Sequence, residues 1–115
     1  MNSLKDILKT KEINEKRLEK EAPDLYNGFM DMANHYYKEG ALNTKYKQLM
    51  SVTASVATKC VPCMFISARN AISAGATREE VIESAAIGVK FGGAAAYTIV
   101  RNNLLNCLDE IEESQ

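Results

Sequence analysis

The pattern with the most chemistry in it is Cys60-Val61-Pro62-Cys63. Two intervening residues let a pair of sulfurs meet when the second cysteine lies in a first helical turn. Pro62 suits position N1 of a helix, because its missing N–H is one that would go unpaired there anyway. That predicts Cys60 at or just before the helix start and Cys63 inside the first turn. Unpaired N–H groups and the positive end of the helix dipole favour a thiolate at such a position. They lower a thiol pKa from about 8.5 towards neutrality or below. The thiolate is the nucleophile, so the pair reads as a reversible dithiol–disulfide centre. Burial as small apolar residues would account for a lone cysteine, but it explains a Cys-x-Pro-Cys at a helix start less well.

Other residues compete for a role. Cys60, Cys63, Cys107 and His35 could in principle ligate zinc, but only one Cys-x-x-Cys is present and the other two ligands would be isolated. Cys107 lies three residues after Leu104 and four before Ile111, on the apolar side of the last helix, which predicts a core thiol. His35 is the only histidine; it sits beside an apolar stripe and reads first as a structural residue, with a weaker claim as a base. Lys45, Lys47 and the acidic tail Asp109, Glu110, Glu112 and Glu113 read as solvated faces. Gly92, Gly93 and the alanines at 94–96 read as close helix packing; a phosphate cradle would need a preceding strand. For the same reason the thioredoxin setting, in which Cys-x-Pro-Cys follows a strand of a βαβ unit, does not fit.

The elements that must position these residues are helical throughout. Ser3 to Asp6 has the form of a capping box and opens a densely charged segment, peripheral or docked on another subunit, over residues 1–22. Pro23 suits N1 of a second helix, in which Leu25, Phe29, Met32 and Tyr36 run beside Tyr26, Met30, Ala33 and Tyr37. This doubled stripe predicts burial on a wide face, and Gly40 is placed to stop the helix. Asn43 or Thr44 caps a third helix with Leu49, Val52, Val56 and Ala57 inward. A fourth runs from Pro62 to Gly75. Thr77 to Glu80 is a second capping box, opening a fifth helix with Val81, Ile82, Ala85 and Val89. After Gly92-Gly93 the last helix carries Tyr97, Val100, Leu104, Leu108 and Ile111. The expectation is an all-α single domain of about six helices spanning 1–115.

Composition narrows the function classes. The chain has 115 residues, 46% hydrophobic and 25% charged, enough apolar material for one core. A formal net charge of −1 leaves no basic footprint for nucleic acid. No apolar run reaches the roughly 18 residues of a membrane span. The first dozen residues show no secretory h-region, and an odd count of three cysteines argues against a disulfide scaffold. Together these predict a reducing, cytoplasmic setting. Small size and wide stripes predict a homo-oligomer.

From Lys45 onward the chain resembles the AhpD-like, carboxymuconolactone decarboxylase family. The resemblance rests on Lys45-x-Lys47-x-Leu49, Cys60-x-x-Cys63, Ala71-x-x-Ala74-Gly75-Ala76-Thr77-Arg78-Glu79-Glu80-Val81 and Phe91-Gly92-Gly93, with Gly40-Ala41-Leu42 before them, and its core motif region is 40–97. It implies an all-helical fold, trimers or hexamers, and no bound cofactor. In the redox branch it implies reduction of a small hydroperoxide, with Cys63 attacking, Cys60 resolving and an external dithiol as electron donor. That branch usually has a histidine four residues after the second cysteine and a glutamate twelve before the first; these positions are Ser67 and Gln48. Serine cannot accept a thiol proton near neutral pH, and general-base help is worth about 10²–10⁴ in rate, so weakened peroxidase activity is expected. The alternatives are a non-catalytic redox-sensing oligomer and a carboxymuconolactone decarboxylase-type enzyme, which does not depend on a cysteine pair.

Overall fold

The computed structural model describes residues 3–115; Met1 and Asn2, the first two residues of the expected domain and charged segment, lie outside them. Six α-helices follow one another: α1 (Leu4–Glu21), α2 (Pro23–Tyr36), α3 (Thr44–Ala57), α4 (Val61–Ser73), α5 (Arg78–Gly92) and α6 (Ala94–Glu113). The described residues contain no strand. The all-α, six-helix expectation holds.

Local signals set most of the boundaries. Ser3 Oγ accepts the Asp6 N–H at 3.1 Å and caps α1. Asn43, rather than Thr44, caps α3 by accepting the Tyr46 N–H at 2.9 Å. At α5 both halves of the capping box form: Glu80 N–H donates to Thr77 Oγ1 at 3.1 Å, and Thr77 N–H to Glu80 Oε1 at 2.9 Å. Gly93, at φ +77°, turns the chain between α5 and α6, a conformation glycine adopts without a Cβ penalty.

The core forms where α3 packs between α4 and α5, with α6 closing against α4 and α5. Val52, Val56, Met64, Phe65, Val81, Leu104 and Leu108 are all buried there. Helices α3 and α5 meet at Gly88, where a Cβ would lie 2.6 Å from the Thr53 carbonyl oxygen and 2.7 Å from Val56 Cβ. Gly92 is similarly close to Ala96 and Ala57, as its reading as a packing residue predicts.

Several expectations are corrected. The doubled stripe of α2 is not buried: among the other helices α2 packs only against α1, and Leu25, Phe29 and Met32 are 63%, 59% and 60% exposed. Helical periodicity reports an apolar face, not what covers it. The helix also ends at Tyr36, before Gly40. Ile82 and Tyr97, expected inward, are exposed. The acidic tail is not merely solvated. Glu110 accepts the N–H groups of Leu4 and Lys5 at 2.9 and 3.0 Å, holding the N-terminus of α1, where a carboxylate is favoured by the helix dipole. Asp109 and Glu112 both pair with Arg78, each at 3.0 Å. Lys45 reaches Glu80 at 3.2 Å, and Lys47 donates to the Lys38 carbonyl.

Candidate redox site at the α3–α4 corner

The two cysteines occupy the tight corner between α3 and α4. Helix α3 ends in a Schellman motif: the Lys59 N–H donates to the Val56 carbonyl at 3.1 Å and the Cys60 N–H to the Ser55 carbonyl at 2.9 Å. This requires a left-handed residue after the cap, and Lys59 supplies it at φ +61°. A non-glycine residue pays about 1–2 kcal/mol for that conformation. Nothing in the sequence marks Lys59 for it; the later glycine-ended corner at Gly75, φ +102°, is the kind a sequence advertises.

Cys60 then serves as the N-cap of α4, with Val61 at N1, Pro62 at N2 and Cys63 at N3. Pro62 is therefore one position further in than predicted, still within the first turn, where a missing N–H costs nothing. Cys60 and Cys63 are joined by a disulfide, their Cα atoms 5.3 Å apart. The Cys63 N–H donates to Cys60 Sγ at 3.3 Å. Cys63 is exposed and Cys60 half-buried. Solvent thus reaches one sulfur more freely, while the other receives the helix N-terminus.

Ser67 lies one turn beyond Cys63 on α4 and is 8% exposed; Gln48 is on α3, the helix packed against α4, and is 7% exposed. Gln48 Oε1 is buried without a hydrogen-bond donor among the described residues. His35 sits in the last turn of α2, exposed, on a helix that packs on α1 and not on α4. Within one chain, then, the structure groups Cys60 and Cys63, sets Ser67 and Gln48 on the two helices that meet at their corner, and leaves His35 apart. Cys107 is a core thiol, fully buried, its Sγ 3.9 Å from the Phe65 carbonyl oxygen. Burial, with a smaller contribution from the charge of Glu110, pushes its pKa up to about 12. The four residues of the zinc alternative are thus dispersed, and among the described residues no group of three or more His, Cys, Asp or Glu is placed to hold an ion.

One feature of the site escaped sequence reasoning. Between α1 and α4 runs a groove of about 480 Å³, lined by Ile7, Thr10, Lys11 and Asn14 of α1 and by Pro62 and Ile66 of α4. On α4 the lining residues Pro62 and Ile66 flank Cys63 in sequence, while neither cysteine lines the groove. No pattern along the chain pairs residues so far apart in sequence.

Comparisons with known proteins bear on the family and the fold. Residues 23–101 match the carboxymuconolactone decarboxylase family. A protein of Paracoccus denitrificans described as uncharacterized protein 4 in the cox locus is 30% identical over 86 residues, covering 75% of this chain and 77% of that one. The crystal structure of a carboxymuconolactone decarboxylase family protein from Legionella pneumophila superposes with a TM-score of 0.82 at 29% identity, over 96% of this chain and 95% of that one. A family protein from Thermotoga maritima, described as a candidate for the antioxidative response, gives a TM-score of 0.83 over 94% of this chain and 91% of that one; at 22% identity this is a likeness of fold.

Proposed function

The chain belongs to the carboxymuconolactone decarboxylase family, and from that premise we propose that it is a thiol-dependent peroxidase or disulfide oxidoreductase working through Cys60 and Cys63. The observation that carries the reading is the Cys60–Cys63 disulfide at the N-terminus of α4 with Cys63 exposed.

In the reduced protein the Cys63 thiolate attacks the terminal oxygen of a hydroperoxide. The O–O bond breaks, the alkoxide leaves and takes a proton to become an alcohol, and Cys63 becomes a sulfenic acid. Cys60 then attacks Cys63 Sγ; the S–S bond forms and hydroxide leaves, protonated to water. Two electrons have passed from the thiols to the peroxide. An external dithiol reverses the closure, its own sulfurs ending as a disulfide. Its first thiolate meets the more accessible sulfur, Cys63, and Cys60 leaves. The Cys63 N–H and the helix dipole stabilise that leaving thiolate. By the resemblance, Ser67 and Gln48, both buried on helices that pack together, take the positions of a base and its carboxylate in the first step. Serine and glutamine supply neither, so the peroxide step depends on the helix start alone.

A homo-oligomer, trimer or hexamer, is part of this reading. Leu25, Phe29 and Met32 on α2 are more than half exposed, as is Phe91 on α5, and large apolar patches mark interaction surfaces. Their burial between copies would cover the face of α2 that α1 leaves exposed.

The deciding experiment is peroxide consumption by the purified protein with a dithiol donor, alongside Cys63→Ser. Turnover abolished by the substitution supports the enzyme. Reversible disulfide formation without turnover favours the redox-sensing alternative, for which the substituted relay positions argue.

A further inference from the structure

We propose that Lys59 selects the electron donor of the redox pair, and that the donor it favours is a thiol or dithiol bearing an anionic group near its sulfur; this rests on the disulfide oxidoreductase reading above. Positive φ occurs at three of the described residues, Gly75, Gly93 and Lys59. The first two are the residue type that adopts this conformation freely. The third carries a long charged side chain directly before Cys60, at a φ of +61° where glycine would relieve the backbone. Strained backbone held beside a reactive group points to a use for the side chain that it carries.

The α3–α4 corner itself carries charge of one sign. Between Lys47 and Arg69, Lys59 is the one charged residue in the sequence. It is exposed, and none of the ion pairs among the described residues includes it. The first turn of α4 holds no carboxylate, unlike those of α1, α2 and α5, so the partial positive charge of its N-terminus adds to that of the ammonium. The charged residues that α1 brings to the groove over Pro62 are Asp6 and Lys11, and Glu15 pairs with Lys11 at 2.8 Å. Asp6 lies in the first turn of α1, where the dipole of its own helix offsets it. A donor thiolate attacks Cys63 Sγ, the exposed end of the disulfide. The Cys60–Cys63 bond breaks, a mixed disulfide forms, and Cys60 leaves as a thiolate next to Lys59. The donor's second thiolate, or a second donor molecule, attacks the donor sulfur of the mixed disulfide, and Cys63 leaves in turn. Two electrons have passed to the protein, the donor ends as a disulfide, and the protons it lost on ionising return to the two cysteines. A donor with an anionic group beside its sulfur is drawn to this corner more strongly than a neutral or cationic one.

The test reduces the oxidised protein with three thiols built on the same two-carbon skeleton: 2-mercaptoethanesulfonate (anionic), 2-mercaptoethanol (neutral) and cysteamine (cationic). Samples are alkylated at timed intervals and the loss of the Cys60–Cys63 disulfide is read by intact mass. Comparing variants at one pH cancels the differing acidities of the probes. Two unit charges about 7 Å apart in water interact by about the thermal energy, so losing the ammonium should slow the anionic probe and speed the cationic one by about 2- to 3-fold each. Lys59→Gln should therefore lower the ratio of the sulfonate rate to the cysteamine rate by about 5-fold at low ionic strength, and by much less at about 0.5 M salt. Lys59→Gly, which suits the backbone at φ +61°, should lower the ratio equally, so the outcome does not depend on the fold of one variant. Lys59→Arg should keep the wild-type ratio. A disulfide that opens with all three probes but whose ratio is unmoved in Lys59→Gln and Lys59→Gly, or whose three rates change by the same factor, would overturn the role of Lys59 and leave the oxidoreductase reading standing. A wild-type disulfide that resists every probe would overturn that reading, and the role of Lys59 with it.

Discussion

The N–H of Cys63 points at the sulfur of Cys60, 3.3 Å away. Cys60 thereby does two jobs, closing the C-terminal turn of α3 with its own N–H and capping α4 with its side chain. Backbone hydrogen bonds hold the corner on both sides of the pair, from the Cys60 N–H to the Ser55 carbonyl and from the Met64 N–H to the Cys60 carbonyl.

That arrangement separates the roles of the two sulfurs. Cys60→Ser should attack an aromatic disulfide probe through Cys63, forming a stable mixed disulfide and releasing the aromatic thiolate, read by intact mass. Cys63→Ser should react far more slowly, because Cys60 is half-buried. Cys107, buried and with a raised pKa, should stay unlabelled in both until the protein is unfolded. Equal trapping at Cys60 and Cys63 would contradict the assignment.

The relay positions can be probed as a pair. Gln48→Glu alone places a carboxylate where the amide oxygen already lacks a donor, and should lower the thermal midpoint, since an unpaired buried charge is costly. Adding Ser67→His should recover much of that loss and raise the oxidation rate of Cys63 by about 10-fold or more, a fraction of a usual general-base contribution. Additive, uncoupled effects on stability would mean that the two positions do not face each other.

Two glycines should respond oppositely to alanine. Gly28, on α2, has open space where a Cβ would go, so Gly28→Ala should stabilise by about 1 kcal/mol through helix propensity. At Gly88 the Cβ would strike the α3 backbone. Gly88→Ala should cost about 1–3 kcal/mol, the usual range for overpacking. Urea denaturation of both variants tests the α3–α5 packing directly.

Acid should loosen the start of α5. Hydrogen bonding from Thr77 first, and from Lys45 second, holds the Glu80 carboxyl below its ordinary value of 4.5. A depressed carboxyl pKa contributes stability above the unfolded value and loses it as pH falls from there through the folded one. Stability should therefore decline on acidification below about pH 4.5, and Glu80→Gln should flatten that decline. A Glu80→Gln profile parallel to the wild type would remove Glu80 from the account.

Much of this protein is legible along the chain because its signals are local. The caps at Ser3, Asn43 and Thr77, the helical Cys-x-Pro-Cys and the apolar side of α6 that holds Cys107 all depend on residues within a turn or two of each other. So does the resemblance to the family, which is a matter of spacing. Tertiary structure alone decided the rest, because each of those facts joins distant segments. Whether the α2 stripe is buried depends on which helices it meets, and periodicity carries no information about that. Glu110 caps α1 across nearly the whole length of the chain, although nothing in the acidic tail distinguishes it from a solvated face. Lys59 takes a left-handed conformation because α3 and α4 must turn sharply to pack, a demand imposed by the core rather than by lysine. The groove over Pro62 and Ile66 exists only because a helix from the first fifth of the sequence lies along α4, and a cavity between two helices belongs to neither.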